Sequence, residues 1–133
     1  MGQRLMMSNP VLPDTDVLVD FLRGYGEAVS FVHENANRIV LSAVVVAELY
    51  AGVKDVEEQA VLERFVSLFR IIPVTAGIAK AGGLYRRDYG KSQGVGPADA
   101  ILAATADAEG AELKTLNVKH YPMFNNLSPA YSK

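Results

Sequence analysis

The stretch Val11-Leu12-Pro13-Asp14-Thr15-Asp16-Val17-Leu18-Val19-Asp20-Phe21-Leu22 changes its period in the middle, and that change decides the fold. Val11 and Leu12 read as the end of a strand, with Ser8 to Pro10 poorly specified ahead of them because proline cannot donate to a ladder. Beyond Asp14, the residues Val17, Leu18 and Phe21 fall at helical spacing until Gly24 and Gly26 stop the pattern. Asp14 is thus the junction of a strand and a helix.

The same alternation runs outward along the chain. A second helix is expected over Glu27 to Asn35 and a short buried strand over Arg38 to Leu41, after which Ser42 caps a helix from Ala43 to Val53. Val44, Val45, Glu48, Leu49 and Gly52 share one face of that helix. Asp55 caps an amphipathic helix, Val56 to Phe69, whose buried side is read as Val61, Leu62, Phe65, Leu68 and Phe69. The strand Arg70 to Val74 follows, and Thr75 opens a helix carrying Ile78, Ala79, Gly82 and Leu84 and ending in the polar run up to Gln93. After a loop at Gly94, Gly96 and Pro97, the segment Ala98 to Ala108 has almost no polar side chain between Asp99 and Asp107, so it is a helix packed on nearly all sides. Leu113 to Leu116 reads as a further strand, followed by a mixed tail from Asn117 to Lys133. Strands alternating with helices at crossover spacing imply an α/β fold with a mostly parallel sheet covered on both faces.

Composition narrows the function. The 133 residues, 50% hydrophobic and 21% charged, suit a single domain with one core; residues 1 to 10 are expected to form a loosely ordered extension. The longest apolar run, Ile39 to Ala47, falls well short of the roughly 18 residues that cross a bilayer, so no membrane role is expected. No export signal is visible in the first residues, and cysteine is absent, which fits a cytoplasmic protein and excludes thiolate chemistry. Two histidines cannot make a histidine-rich metal site, and a net charge of −2 argues against coating nucleic acid by bulk electrostatics.

Carboxylates in apolar surroundings remain. Ligands of a parallel sheet collect beyond the carboxyl ends of its strands. Asp14 follows the first strand, Glu48 lies a turn and a half past the second, Asp99 opens the helix before the fourth, and Asn117 closes the fourth. Clustered carboxylates repel and are costly to desolvate, so a divalent cation is their natural partner, and oxygen donors favour Mg²⁺ or Mn²⁺. Taken singly, Asp14 and Asp99 read first as helix caps. Glu48 has no cap role, and its plain alternative is a side chain that reaches the rim or pairs with an arginine. Arg86, Arg87 and Lys91 are either a solvated helix face or a phosphate contact. His33 reads as surface and His120 as structural or rim-exposed.

Four ordered blocks carry a family resemblance: Pro13-Asp14-Thr15-Asp16-Val17-Leu18 with Phe21-Leu22-Arg23-Gly24; Leu41-Ser42 with Ala47-Glu48-Leu49 and Ala51-Gly52; Ala98 to Ala106; and Thr115-Leu116-Asn117-Val118-Lys119-His120-Tyr121-Pro122. Together they resemble the PIN domain, and more narrowly the VapC-type toxin ribonucleases of toxin-antitoxin pairs. The resemblance implies a Rossmann-like three-layer α/β/α sandwich and a metal-dependent endoribonuclease. It implies Asp14, Glu48 and Asp99 as catalytic Mg²⁺ or Mn²⁺ ligands. Thr115, Asn117 and Asp16 would support them, and Arg86, Arg87 and Lys91 are candidates to hold the RNA. Asn117 stands where the family often has a fourth acid, so three charges are expected to hold one ion well and a second less readily. The resemblance further implies a homodimer, an RNA substrate and a VapB-type antitoxin as partners. The rival reading is a non-catalytic PIN module that binds RNA or protein.

Overall fold

The computed structural model describes residues 9–133; the expected loose extension lies almost wholly outside the described residues, as does the Ser8 end of the first strand. Four three-residue strands form its centre: β1 (Val11–Pro13), β2 (Val40–Ser42), β3 (Arg70–Ile72) and β4 (Glu112–Lys114). β1 pairs in parallel with β4, placing Leu12 opposite Leu113, and β2 pairs in parallel with β3, placing Leu41 opposite Ile71. A parallel bridge between Val11 and Ile39 joins the two pairs in the order β3-β2-β1-β4. Pro13 is tolerated because the N–H groups that reach β4 belong to its neighbours, as when Asp14 N–H donates to Lys114 O at 2.8 Å.

Six helices connect and cover the strands: α1 (Thr15–Leu22), α2 (Gly26–Asn35), α3 (Ala43–Ala51), α4 (Val56–Val66), α5 (Ala76–Gln93) and α6 (Pro97–Glu109). With right-handed crossovers, the step from β1 through β2 to β3 puts α1 to α4 on one face, and the return from β3 to β4 puts α5 and α6 on the other. The expected α/β architecture with a parallel sheet is therefore present. Its strands are shorter than the apolar runs suggested: Pro73 ends β3, and Ser42 closes β2 while its hydroxyl accepts from Val44 N–H to start α3.

Two faces differ from expectation. α4 ends at Val66, so Leu68 falls off the helix and is 73% exposed, Val61 is 47% exposed, and Val66 takes the buried place beside Leu62 and Phe65. In α3 the buried residues are Val45 and Leu49, and Glu48 is turned to the exposed rim. α6 follows its reading, with Ala100, Leu102, Ala103, Ala104, Thr105 and Ala106 all buried. Thr105 satisfies its hydroxyl on the carbonyl of Ile101 at 2.8 Å.

Candidate active site

The carboxyl ends of β1 and β4, the first turns of α1 and α6, and the rim of α3 meet at one edge of the sheet. Asp14 is buried there. It caps α1 as expected, its Oδ1 accepting from Thr15 N–H at 2.8 Å. Its other oxygen does something no cap requires: Oδ2 accepts from the Thr115 hydroxyl at 2.9 Å and from the Tyr121 hydroxyl at 2.7 Å.

Asp99 is not a cap. Gly96 occupies that position with Pro97 at the first helical residue, and Asp99 stands in the first turn. Its Oδ1 lies 3.1 Å from the Tyr121 hydroxyl and its Oδ2 lies 3.2 Å from Nδ1 of His120, whose side chain is largely exposed. Burial, followed by repulsion from Asp14, pushes the Asp99 carboxyl above the usual carboxylate range; Glu48 adds to the rise, and Tyr121 and His120 oppose it. Glu48 is held by a short hydrogen bond from the Thr15 hydroxyl and has no Lys or Arg partner among the described residues.

Asp16 and Asn117 form a pair. Asp16 Oδ1 accepts from Val17 N–H at 2.7 Å, and its Oδ2 accepts from Asn117 Nδ2 at 3.0 Å and from Leu116 N–H at 3.1 Å. Burial and then Asp14 push its carboxyl up as well, against the pull of Leu116 N–H, Val17 N–H and the Thr115 hydroxyl. Thr115, fully buried, accepts from Asn117 N–H at 3.0 Å and so ties the end of β4 to the start of α1.

The geometry thus brings together Asp14, Asp16, Glu48, Asp99, Thr115 and Asn117. Arg86, Arg87 and Lys91 lie exposed along the last turns of α5; Arg87 pairs with Asp88 at 2.8 Å, and among the described residues none of the three bonds to a site carboxylate. Sequence reading gave no role to Thr15, which holds Glu48, or to Tyr121, which spans Asp14 and Asp99. His120 is rim-exposed as read, but it stands beside an acid. The only available signal was that Thr15 sits between two aspartates, and that His120 and Tyr121 follow Asn117 closely.

Among the described residues, no three acidic or imidazole side chains stand in a ready-made metal cage. The donor chemistry nonetheless suits a hard divalent ion, because every donor is oxygen, Asp14 and Glu48 both act on Asp99, and among the described residues none of the three pairs with Lys or Arg. The carboxyls of Asp16 and Asp99 are raised first by burial and then by repulsion from Asp14.

Known proteins are similar to this chain in sequence and in fold. The chain is 42% identical over 124 residues to ribonuclease VapC19 of Mycobacterium tuberculosis, covering 90% of this chain and 98% of that protein. It is 37% identical over 125 residues to ribonuclease VapC10 of the same organism, covering 92% and 93%. Its fold is similar to that of a chain in the toxin-antitoxin complex from Klebsiella pneumoniae, with a TM-score of 0.81, 26% identity, and 92% of this chain and 99% of that chain covered. Residues 11–121 match the family model of the PIN domain, and the chain belongs to that family.

Proposed function

We propose that this chain is a metal-dependent endoribonuclease, the toxin of a toxin-antitoxin pair, which hydrolyses RNA phosphodiester bonds. The observation that carries the reading is Asp99. It is freed from capping by Gly96, half-buried, and turned toward Asp14 across one tyrosine hydroxyl, so that two mutually repelling carboxylates are held close together. The names of the relatives, ribonucleases and a toxin-antitoxin complex, support it.

Asp14 and Asp99 would hold Mg²⁺ or Mn²⁺, joined by Glu48. A bound ion would supply an acidified water and positive charge against the scissile phosphate. Glu48, exposed at the rim, is placed to take the proton of the attacking water, and Thr15 orients it. Asp16 and Asn117 steady the floor of the site through Leu116 and Thr115. Arg86, Arg87 and Lys91 would meet backbone phosphates of the RNA. The family resemblance points to products with a 5′ phosphate and a 3′ hydroxyl.

A groove of about 390 Å³ opens beside Glu48, between α1, α3 and α4, with Val19, Leu22, Leu49 and Leu62 on its walls and Arg23, Glu57 and Glu58 along it. It suits the apolar face of an antitoxin segment, whose basic side chain could then reach the carboxylates. Leu68, Ile71 and Leu84 are exposed apolar side chains that a second copy would cover in a homodimer. No helix among the described residues is long and apolar enough to cross a membrane; a toxin that cuts cellular RNA would act in the cytoplasm.

The test is cleavage of cellular RNA by antitoxin-free protein with Mg²⁺ or Mn²⁺, beside a chelator and an Asp99→Asn variant. Cleavage confined to the metal-loaded wild type is expected. The Asp99 carboxyl sits above its unfolded value, so stability is taken away as pH rises from that value up to the raised folded one. Asp99→Asn should accordingly melt no lower than wild type at pH 7 without metal. No cleavage by a folded wild type that binds no Mn²⁺ would favour the binding-module reading, and unfolding of the variant would make Asp99 structural.

A further inference from the structure

Tyr121 is completely buried, in the turn after the short 3₁₀ helix Val118–His120. Its ring fills apolar space that phenylalanine would fill equally well. The hydroxyl therefore needs its own explanation, and its hydrogen-bond partners are two carboxylates: Asp14 Oδ2 at 2.7 Å and Asp99 Oδ1 at 3.1 Å.

A phenol carries one proton. If the proton goes to the nearer oxygen, on Asp14, the Asp99 oxygen meets a phenol lone pair, and the contact is favourable only if a further proton or a cation offsets the second negative charge. Burial next to two acids also keeps the phenol protonated at neutral pH. The hydroxyl approaches from the core, whereas Asp99 Oδ2 is on the side of the exposed His120. The phenol thus holds one oxygen of each acid from the core side, while Asp14 Oδ1 accepts from Thr15 N–H and Asp99 Oδ2 lies beside His120 Nδ1.

We propose that Tyr121 is the positioning residue of the acidic centre, its phenol spanning Asp14 and Asp99 and fixing the spacing at which the two carboxylates take up one divalent cation. The proposal rests on the metal reading of the site given above. Outer hydrogen-bond partners of metal ligands are typically worth about 10- to 100-fold in metal affinity, which sets the effect to look for.

The experiment compares Mn²⁺ binding, by the loss of the free-ion electron paramagnetic resonance signal, in wild type, Tyr121→Phe and Tyr131→Phe. Tyr131→Phe removes a phenol from a different carboxylate, Asp20, and is the control. Tyr121→Phe should bind Mn²⁺ about 10- to 100-fold more weakly, with cleavage lost at limiting Mn²⁺ and regained at saturating Mn²⁺, whereas Tyr131→Phe matches wild type. Affinity of Tyr121→Phe within twofold of wild type overturns the proposal, as does a loss of cleavage that excess Mn²⁺ leaves unchanged. Wild type that takes up no Mn²⁺ overturns the metal reading itself, a distinct result. Should Tyr121→Phe fail to fold, wild type labelled at tyrosine Cζ decides: five of its six tyrosine signals are assigned by Phe variants at the other positions, leaving Tyr121. That signal should move as Mg²⁺ is added, and a stationary signal overturns the proposal.

Discussion

Gly82 and Gly83 are neighbours in α5, and alanine at the two positions should change stability in opposite directions. A Cβ at Gly82 would lie 3.0 Å from Ile101 Cγ1, 3.1 Å from Ile101 Cα and 3.3 Å from Ile101 N; at Gly83 it would meet nothing within 4 Å. The Ile101 side chain can turn, but its backbone cannot, so α5 and α6 must part by about 0.5 Å to reach ordinary carbon contacts near 3.5–4.0 Å. Overpacking of this kind costs about 1–3 kcal/mol, against roughly 1 kcal/mol gained when alanine replaces a helical glycine. Gly82→Ala should lose about 1 kcal/mol and Gly83→Ala gain about as much, because only the second keeps the propensity gain without the clash. The two variants then differ by about 2 kcal/mol, roughly 6–10 °C in Tm at this length. Urea unfolding followed by circular dichroism measures it, with equal m-values required for a fair comparison. If Gly82→Ala is as stable as Gly83→Ala, the close approach of the two helices is not what glycine provides at 82. The packing has a functional consequence too, since α6 carries Asp99 two residues before Ile101, and parting the helices should weaken Mn²⁺ binding in Gly82→Ala alone.

Asn117→Asp replaces the amide that donates to Asp16 with a second carboxylate, and should destabilise the metal-free protein at pH 7 by about 1–2 kcal/mol. Adding Asp16→Asn should recover most of that, and a double-mutant cycle with no coupling would refute the pairing. At the other end of α1, burial alone would raise the Asp20 carboxyl, but hydrogen bonds from Lys133 and Tyr131 outweigh it and hold it below the usual range. Its contribution is therefore complete above the unfolded value of 3.8 and is lost as pH falls through the lower folded value. Lys133→Met should lower Tm at pH 7 by an amount worth less than about 1 kcal/mol, because the lysine is half exposed, and should converge with wild type in acid; a difference that persists in acid would show that the lysine acts through packing on Tyr25 instead.

The caps were the most legible part of the chain. Asp14, Ser42, Asp55 and Thr75 each start a helix where their side chains said they would, with Asp55 accepting from Glu58 N–H and Thr75 from Ile78 N–H. A cap is a local bond between residues one to three apart, so a single sequence records it. Strand limits were not recorded in that way: three-residue strands are too short for a period of two to show, and their ends are set by crossover geometry and by Pro73. Leu68 was misplaced because the helical period says which face a residue shares, not where the helix stops. Tyr121 was unreadable for a different reason. Its partners lie 107 and 22 residues away, and the tail around it has no period from which burial could be inferred.

Asp16 and Asn117 show what position-by-position reading leaves out. Taken alone, the amide at 117 subtracts a charge from the centre, leaving three acids and a weaker hold on a second ion. In the folded chain Asn117 is 3.0 Å from a carboxylate that sequence places 101 residues earlier, and it donates to it. An acid at both 16 and 117 would set two negative charges at hydrogen-bond distance with no proton between them. Each residue thus accounts for the other: the aspartate at 16 makes an amide at 117 favourable, and the amide supplies a donor where a second carboxylate would supply only repulsion. Counted over the site instead of over family positions, the acids are Asp14, Asp16, Glu48 and Asp99. The fourth acid beside the cluster thus enters from the start of α1 in place of the end of β4, with both of its oxygens held by hydrogen bonds.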